Sequence, residues 1–205
     1  MLSHVLPIGL NPAWVEQSSR PGCPNVTGVT VAVVFETHAT TVDNERGAAT
    51  GWLPGELSGA GREQAAELGR RRLGDGIDAV FTSDLARAVQ TTELAFAGRL
   101  PVLQDWRLRE CDYGDWNGAG RDVVLADRLV HLDLPYPGGE SWRQATARVA
   151  GLLADLPTRW SGRRVLVVGH VATRYGLEVA LRGRSLEQLL STEFGWQPGW
   201  EYEVG

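Results

Sequence analysis

Two apolar runs set the framework of this chain. Val29 to Phe35 and Val165 to Val168 are almost continuous in β-branched and apolar residues. Such runs belong to strands covered on both faces, whereas half-exposed strands alternate apolar with polar residues. Stretches of helical spacing stand between and after them. Ser58-Gly-Ala-Gly-Arg-Glu opens a helix that continues through Gln64, Ala65, Leu68 and Leu73 until Gly74 and Gly76 close it. Ala79 to Ser83 reads as a short strand, with Asp84 as the N-cap of a helix through Leu94. Glu140 to Leu156 is helical by the spacing of Trp142, Val149, Leu152 and Leu153, and a further helix runs from about Val171 to Leu181. The tail, with Trp196, Trp200 and Tyr202, includes an edge strand. Strands alternating with helices predict an α/β fold, a three-layer sandwich whose mostly parallel central sheet carries helices on both faces.

The chain is 205 residues long, enough for one sizeable core and short for two. Residues 29–205 are expected to form a single domain. Residues 1–28 hold four prolines and no periodicity, and read as an irregular arm. A 43% hydrophobic content with eight tryptophans excludes disorder. Net charge is −5 and the arginines are scattered, which argues against nucleic-acid or membrane partners held by a basic surface. Cys23 and Cys111 fit neither a zinc pattern nor a disulfide framework, so a reducing cytoplasm is the plainest location. No apolar run approaches the ~20 residues of a membrane span. The N-terminus shows no basic segment followed by an apolar core, as a secretory signal would.

Both principal strands end in histidine, His38 and His170. In open α/β sheets, ligands sit beyond the carboxyl ends of the strands. A lone histidine at a strand end is more often a hydrogen-bonded structural residue, and His4 and His131 invite nothing more. Two histidines that parallel pairing brings together are harder to dismiss. They could serve a metal, but no third ligand stands at metal spacing. They could serve nucleophilic catalysis, one imidazole taking a phosphoryl group and the other stabilising its charge. That use calls for an anion donor such as Arg87, just past a strand in Ser83-Asp-Leu-Ala-Arg, since guanidinium binds phosphate oxygens in a planar fork. It also calls for a proton donor, and Glu110 stands in the Gly- and aromatic-rich stretch Leu108-Arg-Glu-Cys-Asp-Tyr-Gly. Burial there would raise its pKa and keep it protonated. In isolation Arg87 reads more simply as a solvated helix arginine, and Glu110 equally as an ordinary exposed loop acid, as do Asp112 and Asp115.

Taken in order, these segments resemble the histidine phosphatase superfamily, the phosphoglycerate-mutase-like enzymes. The family's R-H-G-E-[ST] signature falls on Thr37-His38-Ala39-Thr40, with Asn44 six residues after the histidine and then Thr50-Gly51-Trp52. Leu57-Ser-Gly-Ala-Gly-Arg-Glu-Gln-Ala matches the family's helix start. Thr82-Ser-Asp-Leu-Ala-Arg-Ala-Val-Gln-Thr matches its arginine element, and Leu108-Arg-Glu-Cys-Asp-Tyr-Gly its acid loop. Gly138-Gly-Glu-Ser follows, and the closing strand and His-Gly pair is Val165-Leu-Val-Val-Gly-His170, with Val171 where glycine is usual.

The resemblance implies a phosphomonoesterase acting on a small phosphorylated metabolite. His38 would be the phosphoryl acceptor and Glu110 the general acid. His170, Arg87 and Asn44 would bind phosphoryl oxygens, with Thr37 where the family's arginine stands. No metal and no cofactor would be needed. Thr37 and Glu36 also motivate a second reading, a catalytically impaired member that binds a phosphorylated or carboxylated ligand. Expected partners for Glu36 are Arg87, Arg46 and Arg174. A phosphomutase is the third reading, and the shortness of the segment from Gly118 to Gly138, with Arg121 and Arg128 as its basic residues, favours a phosphatase over it. Trp52, Trp116 and Tyr136 are candidates to line an apolar specificity pocket. Nothing in the pattern specifies the substrate or an oligomeric state.

Overall fold

The computed structural model describes residues 30–96 and 98–205, so the arm expected over residues 1–28 lies outside the described residues. The first apolar run forms β1, Val31–Thr37. The second forms β4, Arg164–Gly169. Between them lie β2, Ala79–Thr82, and β3, Val102–Gln104, and the tail forms β5, Trp200–Val204. The sheet order is β3-β2-β4-β1-β5. All neighbours are parallel except β5, which pairs antiparallel with β1 at the edge. The sheet is thus mostly parallel, as the alternating pattern predicts.

Seven helices accompany these strands among the described residues: α1 Val42–Glu45, α2 Gly59–Arg72, α3 Ala86–Phe96, α4 Arg121–Asp127, α5 Trp142–Trp160, α6 Val171–Arg182 and α7 Leu186–Ser191. Two core clusters define the layers. Val33, Phe35, Val165 and Val167 face α5 and α6 through Val149, Leu152, Leu156 and Leu177. Val34, Val80, Leu166 and Val168 face α2 and α3 through Leu68, Ala95 and Phe96. Alternate side chains of one strand therefore feed both cores, which is why these runs are apolar throughout.

The helix boundaries follow from local chemistry. Ser58 caps α2 by accepting from the Gly61 amide, and Ser141 with Gln144 forms a capping box at the start of α5. Asp84 does not cap α3: the Arg109 guanidinium takes both of its carboxylate oxygens. The α2 and α3 backbones come very close at Gly69, where a Cβ would stand 2.2 Å from the Ala95 carbonyl oxygen.

A third cluster, with Tyr113, Val124, Tyr136, Trp142 and Tyr175, packs beyond the sheet. It roofs one side of the space at the carboxyl ends of β1 and β4.

Candidate active site

Register alone brings the two histidines together. Thr37 pairs with Gly169 in the β1–β4 ladder, and the His38 amide donates to the Gly169 carbonyl at 2.9 Å. The next residues on the two strands then leave the sheet side by side, and the His38 and His170 rings lie 4.9 Å apart between centroids. His38 Nδ1 is 2.7 Å from the Ala39 carbonyl, which assigns the proton to Nδ1 and the lone pair to Nε2. Thr91 on α3 fixes this turn by accepting from the Ala39 amide.

Arg87, in the first turn of α3, is buried. Its Nε lies 3.3 Å from His38 Nε2, and its two terminal nitrogens donate to the Leu53 and Gly51 carbonyls. A cation in that position disfavours a second positive charge. Burial and Arg87 together lower the His38 pKa to about 3. Burial, Arg87 and His38 likewise push His170 well below the ordinary histidine value. Both rings are neutral at neutral pH. His170 is fully buried and neither ring nitrogen has a hydrogen-bond partner. Buried polar atoms are rarely left so, and their partner is then a ligand or solvent.

Glu110 is buried close by, and burial raises its pKa. The Cys111 amide and the Val171 and Ala172 amides at the start of α6 donate to its carboxylate and oppose that rise without cancelling it. Its loop is held by Arg148, which donates to the carbonyls of Arg107 and Glu110 and pairs with Glu140 of the Gly-Gly-Glu-Ser segment. Glu140 in turn accepts from the Asp112 amide. Trp52 completes the clamp by donating its indole N–H to the Glu110 carbonyl at 2.7 Å.

His38, His170, Glu110, Arg87, Asn44 and Thr37 all line one crevice of about 520 Å³. Asn44 is exposed on α1, where its side-chain oxygen accepts from the Thr41 amide. The amide nitrogen is the donor it offers to the crevice. Among the described residues, no group of three or more His, Cys, Asp or Glu side chains is placed to hold a metal ion.

Two expectations are overturned. Glu36 does not pair with Arg87, Arg46 or Arg174: its buried carboxylate accepts from Arg71 and Arg72 on α2. Even-numbered residues of β1 face α2, so Glu36 points away from the crevice, and two guanidinium groups offset its charge. Nor do Trp52, Trp116 and Tyr136 line the crevice. Trp116 and Tyr136 pack with His131, and Tyr136 also packs on Tyr113. The aromatic wall is Tyr113, Trp142, Tyr175 and Phe194. A sequence signal for Tyr175 does exist: it stands five residues after His170, just over a turn into the helix that follows.

Comparison with known proteins agrees with this geometry. The profile of the Histidine phosphatase superfamily (branch 1) matches residues 33–196. A 2,3-bisphosphoglycerate-dependent phosphoglycerate mutase of Methylobacterium radiotolerans is 34% identical over 173 residues, covering 77% of this chain and 82% of the mutase. Bacillus stearothermophilus YhfR superposes with a TM-score of 0.72 at 27% identity, covering 82% of this chain and 88% of its own. A mycobacterial glucosyl-3-phosphoglycerate phosphatase, solved with VO3, gives a TM-score of 0.68 at 30% identity, covering 79% of this chain and 87% of its own. With its motifs in family order and its two histidines at the ends of adjacent parallel strands, the chain belongs to the histidine phosphatase superfamily.

Proposed function

We propose that the protein is a metal-independent phosphomonoesterase acting on a small phosphorylated metabolite through a phosphohistidine on His38. The observation that carries this reading is the buried, unpartnered His170 imidazole facing His38 beside the Arg87 guanidinium. That arrangement offers hydrogen bonds and positive charge to an anion that the protein itself does not supply.

In the first step, His38 Nε2 attacks phosphorus and the bond from phosphorus to the leaving oxygen breaks. Arg87, His170 and Asn44 hold the phosphoryl oxygens, and Thr37 lines the crevice where the family carries arginine. Glu110, whose protonated form burial favours, passes its proton to the leaving alkoxide. In the second step, water attacks the phosphohistidine, Glu110 takes a proton from that water, and inorganic phosphate leaves with His38 restored.

His38→Ala is expected to abolish hydrolysis of an aryl phosphate, while EDTA leaves the wild-type rate unchanged. Undiminished turnover in His38→Ala would end the proposal. Tight phosphate binding without turnover on a broad substrate panel would replace it with the binding-only reading. The mutase names among the relatives support phosphotransfer between substrates as a second reading. Interconversion of phosphoglycerates that depends on 2,3-bisphosphoglycerate would select it.

A further inference from the structure

The crevice extends well beyond the phosphoryl site, and its outer wall has a composition that the reaction itself does not explain. Helix α4 turns Arg121, Val124, Leu125 and Arg128 into the crevice. Their spacing is i, i+3, i+4 and i+7, a single stripe on one helix face, with a cation at each end and apolar residues between. Tyr175 and Phe194 line the same crevice and belong with Val124 to one packed cluster.

Both arginines are spare. Twelve of the described arginines have a carboxylate within ion-pair distance, and neither Arg121 nor Arg128 is among them. Arg128 gives one N–H to the Thr192 carbonyl and keeps the rest of its fork. Glu193 also lines this rim, so the outer wall has a net charge of about +1 from two arginines and one carboxylate.

The direction of the stripe is fixed at one end. The Arg121 amide donates to the Gly47 carbonyl, and Ala48 and Gly120 form a bridge, which ties the start of α4 to the loop just after Asn44. Arg121 therefore stands at the phosphoryl end. Arg128 lies about 10 Å further along the helix, from seven residues at 1.5 Å each.

We propose that α4 forms a specificity subsite for a leaving group with an apolar body that ends in a carboxylate. The body lies on Val124, Leu125, Tyr175 and Phe194, and Arg128 receives the carboxylate. This rests on the phosphatase reading for the placement of the phosphoryl group, and it separates the substrate class from short polar phosphoesters.

Non-hydrolysable phosphonates test it by calorimetric titration, independently of turnover. 4-Carboxybenzylphosphonate is expected to bind wild type on the order of 10-fold more tightly than benzylphosphonate, which lacks the anion. It should also bind more tightly than phosphonoacetate, which lacks the apolar body. The preference over benzylphosphonate should collapse toward one in Arg128→Met and survive in Arg128→Lys. A wild-type ratio near one, or an undiminished ratio in Arg128→Met, overturns the subsite. Should Arg128→Met fail to fold, the wild-type ratios alone decide. If no phosphonate binds at all, the phosphoryl site itself is wrong, and the subsite falls with it.

Discussion

At the scale of single residues, His38 and Glu110 are tuned in opposite directions. Burial and Arg87 hold the imidazole neutral down to a pKa of about 3, while burial lifts the carboxyl above its ordinary range. Those opposite directions favour an unprotonated nucleophile and a protonated acid. Glu110→Gln removes the proposed proton donor and keeps the shape. Its kcat/KM should fall by about 10²–10⁴ for an alkyl phosphate, whose alkoxide needs a proton. The fall for 4-nitrophenyl phosphate, whose leaving group needs none, should be much smaller. Steady-state rates with both substrates check this, and equal losses would remove Glu110 as the acid. Thr37 is the other residue in question, because a hydroxyl cannot replace the charge of a guanidinium. It lines the crevice of about 520 Å³, which gives a longer side chain room beside the phosphoryl site. Thr37→Arg is expected to raise kcat/KM by about two orders of magnitude, the usual worth of one transition-state donor. A loss in that variant would mean that the site is built around the threonine.

At the scale of elements, the acid loop is held from outside the crevice. Arg148 on α5 and Glu140 just before that helix form a largely buried pair that clasps the backbone on both sides of Glu110. Removing one member of such a pair leaves the other uncompensated, at about 3 kcal/mol. Arg148→Met should therefore lower stability by that order in urea unfolding. It should also reduce kcat more than it raises KM, because the proposed acid loses its position while the proposed phosphate site persists. An unchanged kcat would show that the loop holds itself. The clasp and the sheet were not equally legible. The two strands of the histidine pair were readable because continuous apolar runs admit few other structures, and parallel pairing then implies the meeting of His38 and His170. The partners of Glu36 were not readable, since they depend on which face of α2 meets β1. Helix α4 was hidden by its seven-residue length and by Gly120 at its N-cap, which gives no side-chain hydrogen bond. The aromatic wall is not legible for a related reason: Tyr113 and Trp142 look like ordinary core residues until the third cluster places them beside the crevice.

At the scale of the whole molecule, two neutral histidines packed against an arginine couple the site to folding. An unfolded chain protonates histidine near pH 6.5, while folded His38 resists until about pH 3 and folded His170 resists well below 6.5. Between pH 6.5 and 5 the unfolded state thus binds more protons, so stability falls as pH falls. For His38 the full shift would remove about 2 kcal/mol over that interval, reduced to about 1 kcal/mol by solvent screening of a half-buried group. Glu110 acts with the other sign. Its folded pKa lies above the unfolded one, so the folded state takes up that proton first and gains stability as pH falls through the raised value. The carboxylates held low by arginine, Asp105 and Asp133, lose that stabilisation only at more acid pH. The melting temperature without ligand should therefore decline from pH 7 to pH 5. His170→Asn should flatten that decline, and Glu110→Gln should steepen it. Calorimetry of the three proteins across the interval decides the matter: a flat wild-type profile, or variants that shift the slope in the same direction, would separate the stability of the fold from the charges of its crevice.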